Sequence, residues 1–149
     1  MGTTTKTLYD TDFLEWTART AELVRAGRFD ELDLEHVAEE IEDLGKRDRW
    51  AVQSQMQRLL LHQIKRNIQP ERETASWRHS IVNSQKRILL RLNDSPSLRR
   101  FLEKELQDIY TDAIRGALFE TRVKNPGLPE RCPFPLDQLL DRYDLDWPC

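Results

Sequence analysis

The sequence contains few of the residues that build turns, disulfides and membrane spans. Of its 149 residues only five are glycine and two are cysteine. No stretch approaches the roughly 18 to 20 consecutive apolar residues of a membrane span, and the start Met-Gly-Thr-Thr-Thr-Lys lacks the apolar run of a secretory signal. We therefore predict a cytoplasmic protein without membrane contact, in which Cys132 and Cys149 are free thiols, since disulfides persist mainly in oxidising compartments.

Motifs that would indicate a reaction are also missing. There is no Cys-x-x-Cys pair, no glycine-rich phosphate loop and no serine in a glycine elbow. Di-iron bundles need Glu-x-x-His on two helices, whereas only Asp33-x-x-His36 comes close here. Arg72 and His79 have a spacing seen in some all-helical ribonucleases, but an arginine-rich chain produces it often by chance. We predict no cofactor, and these motifs assign no metal ligands.

The charges are sorted along the chain. Residues 1–44 carry four basic and twelve acidic side chains, a sum of 4 − 12 = −8. Residues 45–100 carry thirteen basic and four acidic ones, 13 − 4 = +9, and residues 101–149 return to 6 − 10 = −4. Such segregation either selects which helices lie side by side or leaves a basic face for an anionic partner.

Apolar residues recur every three to four positions, which is typical of helices. Four long helices are predicted to begin at Asp10 or Asp12, at Asp33, after the turn 69–73 and at Ser95-Pro96. Their predicted ends are Gly27, Pro70, Asn93-Asp94 and Asn125-Pro126-Gly127. The prediction is an all-α, four- to five-helix bundle with long antiparallel helices and a Pro-rich C-terminal tail (125–149) that wraps the bundle and ends in a short helix from Pro135 to about Arg142. We expect one domain, 1–149, with 1–7 flexible.

Side-chain caps support these boundaries. Asp12 and Glu15 have capping-box spacing, Asp33 is a good N-cap, and Ser95 before Pro96 predicts a side-chain cap. The second helix would be roughly 54 Å long if unbroken, whereas a compact domain of this size is about 40 Å across. It must therefore bend or break near Gly45, or its end must be covered by a second copy of the chain.

The densest group of chemically capable side chains is predicted on the hairpin of the second and third helices. If the turn is centred near residue 71, antiparallel packing places His62 near His79 and Lys65 near Trp77. These side chains could form a satisfied polar layer. Alternatively, the two histidines could form a metal or general-base site with an acid of the first helix, Asp12 or Glu15. The acidic run Glu39, Glu40, Glu42 and Asp43 is expected to be mostly solvated or paired with basic residues.

Several motifs resemble the bacterial Domain of Unknown Function 29 family over about residues 7 to 142. They are Leu8-Tyr9-Asp10-Thr11-Asp12-Phe13, Arg25-Ala26-Gly27-Arg28-Phe29, Leu32-Asp33, Ala38-Glu39-Glu40-Ile41-Glu42, Leu60-Leu61-His62, Gln69-Pro70-Glu71-Arg72, Ser76-Trp77 and Asp94-Ser95-Pro96-Ser97-Leu98. The resemblance implies an all-helical domain with no firmly assigned activity. The polar motif positions that the chain shares with the family are Asp10, Asp12, Glu39, Glu40, His62 and Trp77.

The leading functional hypothesis is a protein-interaction or regulatory module, with a protein partner or self-association through the second helix. Asp10, Asp12, Lys65 and Trp77 are the candidate binding residues. One alternative is a metal-binding or hydrolytic enzyme, for which the candidate catalytic residues are His62, His79, Glu39 and Glu40. The other alternative is binding of a nucleic-acid backbone by the basic segment 45–100, where stacking aromatics are few.

Overall fold

The computed structural model describes residues 5–148, and all regular structure in this range is helical, as predicted. Residues 1–4 of the segment predicted to be flexible, and Cys149, lie outside the described range. The helices are α1 (Leu8–Thr11), α2 (Phe13–Arg25), α3 (Leu34–Ile68), α4 (Ala75–Asp94), α5 (Ser97–Thr121) and α6 (Leu136–Asp141), with short 3-10 helices at Phe29–Glu31 and Pro70–Arg72. The four long helices and the short C-terminal helix were predicted, whereas α1 was not.

The chain divides into two compact units, with the boundary between Lys46 and Arg47. The first unit contains α1, α2 and the beginning of α3. Asp12 caps α2 as predicted, because its carboxylate accepts a hydrogen bond from Glu15 N at 3.0 Å. Trp16 of α2 is buried, whereas Phe13 and Val24 of the same helix are 46% and 47% exposed. A unit with so few helical elements covers only one narrow face of α2.

Helix α3 is continuous through Gly45, so the predicted break is not present. Its first turn is capped by Asp33, whose carboxylate accepts from His36 N at 3.3 Å. One interior glycine costs a helix only about 1 kcal/mol relative to alanine. This cost is small beside the contribution of the buried residues that α3 supplies to the second unit.

The second unit is built on the apolar faces of α3, α4, α5 and the tail. Contacts of Ser84 with Gln55 at 3.1 Å and of Arg91 with Asp48 at 3.0 Å establish that α4 runs antiparallel to α3, as predicted. Helix α6 packs against α4 and α5. The core consists of seventeen buried side chains: Val52, Met56, Leu59, Leu60, Ile64, Ile88, Leu92, Leu98, Leu102, Ile109, Tyr110, Ala113, Ala117, Phe134, Leu136, Leu139 and Leu140.

Two boundaries of α5 differ from the prediction. At its start the N-cap position is Pro96, which has no side-chain cap, and Ser95 contributes its backbone carbonyl to Leu98 N at 3.0 Å. At its end the helix stops at Thr121, before the predicted Asn-Pro-Gly stop, because Arg122 adopts a left-handed conformation with φ 58°. The Arg122 N–H then bonds to the Leu118 carbonyl at 2.9 Å and completes the C-cap.

Truncation of the core should destabilise the second unit. Leu59 is 0% exposed, and Leu59→Ala is expected to lower the free energy of unfolding by about 2–5 kcal/mol, because it removes buried apolar area and leaves a cavity. Urea denaturation followed by circular dichroism measures the change. Phe119→Ala is the control, since Phe119 is 85% exposed and should change stability by less than about 0.5 kcal/mol. Equal effects of the two substitutions would contradict this account of the core.

Candidate functional site

An apolar stripe on the first part of α3 is exposed. Leu34, Ile41 and Leu44 are 65%, 64% and 60% exposed, and their spacing of seven and three residues places them on one side of the helix. Val37, on the same side, is half-buried. We refer to Leu34, Ile41 and Leu44 as the α3 stripe. It lies entirely within the first unit, and it has the composition of a helical face that packs against another surface.

The α3 stripe has acidic neighbours. Glu35 and Glu42 directly follow Leu34 and Ile41, so they lie about 100° round the helix on its exposed side. Glu39 is also exposed. Of the predicted acidic run, Glu39 and Glu42 are thus exposed, with Glu39 on the side of α3 opposite the stripe, whereas Glu40 is hydrogen-bonded to Tyr9.

Tyr9 and His36 form the polar centre of the first unit. Their rings stack with centroids 3.9 Å apart, and the Tyr9 hydroxyl donates to Glu40 Oε1 at 2.6 Å. This hydrogen bond raises the pKa of Tyr9 to about 12. His36 Nδ1 binds Asp33 Oδ2 at 2.5 Å, and the neighbouring carboxylate raises the pKa of His36 above 6.5. Only the Asp-x-x-His spacing of Asp33 and His36 indicated this group in the sequence.

Three of the predicted polar motif positions in the first unit make structural contacts. Asp10 accepts hydrogen bonds from Thr7 at the start of α1, which lower the pKa of its carboxyl group. Asp12 caps α2, and Glu40 binds Tyr9. Their roles as binding or catalytic residues remain predictions, but each has a contact that explains its residue type.

The predicted hairpin cluster of the second unit forms in part. Lys65 Nζ lies 4.5 Å from the centroid of the Trp77 ring and 2.6 Å from Glu120 Oε2. The predicted proximity of Lys65 and Trp77 is thus confirmed, and α5 supplies a carboxylate that the sequence did not indicate. His62 is half-buried and its Nδ1 bonds to Arg58 O at 2.8 Å, whereas His79 is exposed. No hydrogen bond joins the two histidines, both of which are among the described residues.

A polar cluster that was not predicted attaches the tail to α3. Arg66 Nε binds Glu73 Oε1 at 2.9 Å, its Nη2 binds Asp144 Oδ1 at 2.6 Å, and its guanidinium carbon lies 4.0 Å from the Tyr143 ring centroid. The Tyr143 hydroxyl donates to Glu73 as well. Beside them Gln63 is buried and its Nε2 donates to Tyr143 O at 2.9 Å. Apart from that of Arg66 with Glu73, these contacts join residues 70 to 80 positions apart, so no local pattern indicates them.

The second unit has its own exposed apolar surface, between α3 and α4. Trp50 is 70% exposed and Leu90 is 58% exposed. Both line a groove of about 650 Å³ whose other lining residues are Ala51, Ser54, Gln55, Arg87, Arg91 and Asp94. We call it the Trp50 groove. Val82 and Leu89 of α4 are also exposed, because its buried side is formed by Ile81, Ser84, Ile88 and Leu92.

This geometry gives little support to the two alternative functions, a metal-binding or hydrolytic enzyme and a nucleic-acid-binding protein. Several cations of the basic segment have acidic partners, since Lys65, Arg66, Arg91 and Arg99 all form ion pairs. Such pairs reduce the charge available to phosphates. Within residues 5–148 no three His, Cys, Asp or Glu side chains are grouped so that they could hold a metal ion. No helix in that range has the length and apolar character to cross a membrane.

Stability in acid should depend on Glu73. The Tyr143 hydroxyl and Arg66 hold the pKa of Glu73 below 4.5, so its stabilising contribution is present above pH 4.5 and is lost as the pH falls through the lowered pKa. Glu73→Gln should lower the Tm at pH 7 by about 2–4 °C, and the difference from wild type should shrink below pH 4.5. Thermal denaturation between pH 3 and pH 7 tests this, with the exposed Glu71→Gln as control. A difference independent of pH would contradict the assignment.

His36 and His62 should titrate on opposite sides of pH 6.5. Asp33 raises the pKa of His36, whereas burial, with Lys65 nearby, lowers the pKa of His62. Titration by NMR should therefore show His62 losing its proton at lower pH than His36. In Asp33→Asn the pKa of His36 should fall while that of His62 stays unchanged. A titration of His36 at or below 6.5 in the wild type would contradict the contact with Asp33.

Comparison with known proteins places the chain in a family. Among solved structures, the chain is similar to an alpha-helical protein of unknown function from Rhodospirillum rubrum ATCC 11170, with 29% identity, a TM-score of 0.64 and coverage of 93% of this chain and 92% of that chain. No curated protein matches. Residues 8–144 match the family described as Domain of unknown function DUF29. The chain belongs to this family.

Proposed function

We propose that this protein is a protein-interaction module that binds a protein partner through the α3 stripe. The observation that carries the proposal is the exposure of Leu34, Ile41 and Leu44 at 65%, 64% and 60% on one side of one helix. Leu34, the half-buried Val37 and Ile41 stand at i, i+3 and i+7, positions among the anchors with which an amphipathic helix enters an apolar groove, and Leu44 extends the same side by one turn. A regulatory role would act through this binding.

The energy available at the stripe is large enough for specific binding. Full burial of a leucine or isoleucine side chain contributes about 1.5–3 kcal/mol. Because all three anchors are well over half exposed, most of this energy is still available to an interaction. Part of it is offset by the loss of translational and rotational freedom on association.

Charge defines the chemistry of the partner. Residues 1–44 sum to −8, and the exposed Glu35 and Glu42 lie about 100° round the helix from Leu34 and Ile41. A partner that presents apolar side chains bordered by lysine or arginine is therefore favoured over an acidic one, since complementary charge speeds encounter and disfavours wrong partners. The proposed partner is a basic, apolar protein groove.

Site-specific photo-crosslinking tests the proposal. A photoreactive phenylalanine derivative replaces Ala38, which is exposed between Leu34 and Ile41, and the protein is irradiated in the cells that produce it. We expect a crosslink to one protein, whose attached peptide, identified by mass spectrometry, is basic and apolar. The same derivative at Glu103, which is exposed on α5, is the matched control and should give no such product.

A stripe variant completes this prediction. Leu34→Ser, Ile41→Ser and Leu44→Ser together should reduce the crosslink at position 38 at least about tenfold, because three apolar anchors are lost. Circular dichroism should remain unchanged, since these side chains are exposed. A crosslink yield at position 38 no greater than that at position 103, or a yield that the triple variant leaves intact, would contradict the proposed function.

A further inference from the structure

We infer that the partner is a second copy of this chain, whose Trp50 groove receives the α3 stripe. The inference rests on the proposed function and identifies the surface that the stripe binds. It uses two surfaces that are each exposed on their own unit, namely Leu34, Ile41 and Leu44 on the first and the groove at Trp50 and Leu90 on the second.

The Trp50 groove has the composition of a binding site. An indole that is 70% exposed is unusual for a large apolar side chain, and tryptophan and arginine are the residues most enriched at energetic hot spots of interfaces. Here Trp50 and Leu90 provide the apolar surface and Arg87 lines the same groove; its other charged lining residues are Arg91, which pairs with Asp48, and Asp94. Its volume of about 650 Å³ admits several side chains of a helix.

Electrostatic complementarity selects the pairing of stripe with groove. Residues 45–100 sum to +9 against −8 for residues 1–44. Lys86 and Arg87 lie one turn before Leu90 and therefore flank it on α4. Packing the stripe against the stripe of a second copy would instead bring Glu35 and Glu42 towards the same acidic residues of the partner. Like charges in close contact are unfavourable, so the basic groove is the better receptor.

Each chain carries one stripe and one groove, so two chains can exchange two equivalent contacts. Reciprocal exchange of this kind is the basis of two-fold symmetric dimers, the commonest soluble oligomers. The occupant of the Trp50 groove is then a defined segment, residues 34–44 of the other chain. The contact is a helix-in-groove interaction in which acidic residues border the helix and basic residues border the groove.

Charge reversal on each surface separately gives a sharp test. The first variant carries Glu35→Lys and Glu42→Lys beside the stripe, and the second carries Lys86→Glu and Arg87→Glu beside the groove. All four side chains are exposed, so the fold should be retained, which circular dichroism verifies. Matched controls on α5 are Glu103→Lys with Asp108→Lys, and Arg100→Glu with Lys104→Glu, all likewise exposed.

Analytical ultracentrifugation measures the association. Wild type and both controls should associate to a species of twice 17.7 kDa. For either reversal variant alone, the concentration at which half of the chains associate should be at least about tenfold higher, because like charges now meet at both contacts. An equimolar mixture of the two variants should recover association. At one contact the reversed stripe of the first variant meets the reversed groove of the second, and at the other contact the unchanged stripe of the second variant meets the unchanged groove of the first.

Three outcomes would overturn the inference. One is a wild type that stays monomeric at all concentrations tested, the second is a groove variant that associates as the wild type does, and the third is a mixture that does not recover. The crosslink from position 38 distinguishes these failures from failure of the proposed function. A crosslink to a different basic protein would leave the proposed function standing and remove only the second copy as partner.

Discussion

The burial of one continuous apolar face on α3, α4 and α5 is the interaction on which the second unit depends. Met56, Leu59, Leu60 and Ile64 project from α3 into a core that α5 completes with Tyr110 and its neighbours. Burial of this kind is the main favourable term in folding. Exposed ion pairs such as Arg91 with Asp48 contribute about 0–1 kcal/mol each, so they define register and partners more than they stabilise the fold.

The tail is held by the same principle, with a polar anchor at its end. Phe134, Leu136, Leu139 and Leu140 enter the core, and Arg66 then binds both the backbone and the side chains of residues 143 and 144. Because the guanidinium group makes several hydrogen bonds in fixed directions, it orients the chain as well as attracting it. The proline-rich tail is thus an integral part of the second unit.

Local patterns predicted the helices well and the long-range polar contacts poorly. The apolar periodicity and the capping residues predicted α3 from Asp33 to the residues before Pro70, because they depend on positions close in sequence. Antiparallel packing predicted that Lys65 lies near Trp77, because only one short turn separates the two helices. The contacts Lys65 with Glu120 and Arg66 with Asp144 depend on how α5 and the tail return to α3. The sequence also did not indicate which apolar side chains are exposed. Ile81 is buried and Val82 is exposed, although the two have similar apolar character.

Several of the polar motif positions that the chain shares with the family make structural contacts that explain their residue types. Asp10 and Asp12 cap helices, Glu40 accepts from Tyr9, and Trp77 lies against Lys65. Such positions determine how the chain folds, and a match at them carries fold information across the family. Binding by an exposed face needs only side chains of suitable size and charge, which occupy positions that no short motif marks. In our proposal the functional information of this chain lies in Leu34, Ile41, Leu44 and Trp50, where apolar residues remain exposed.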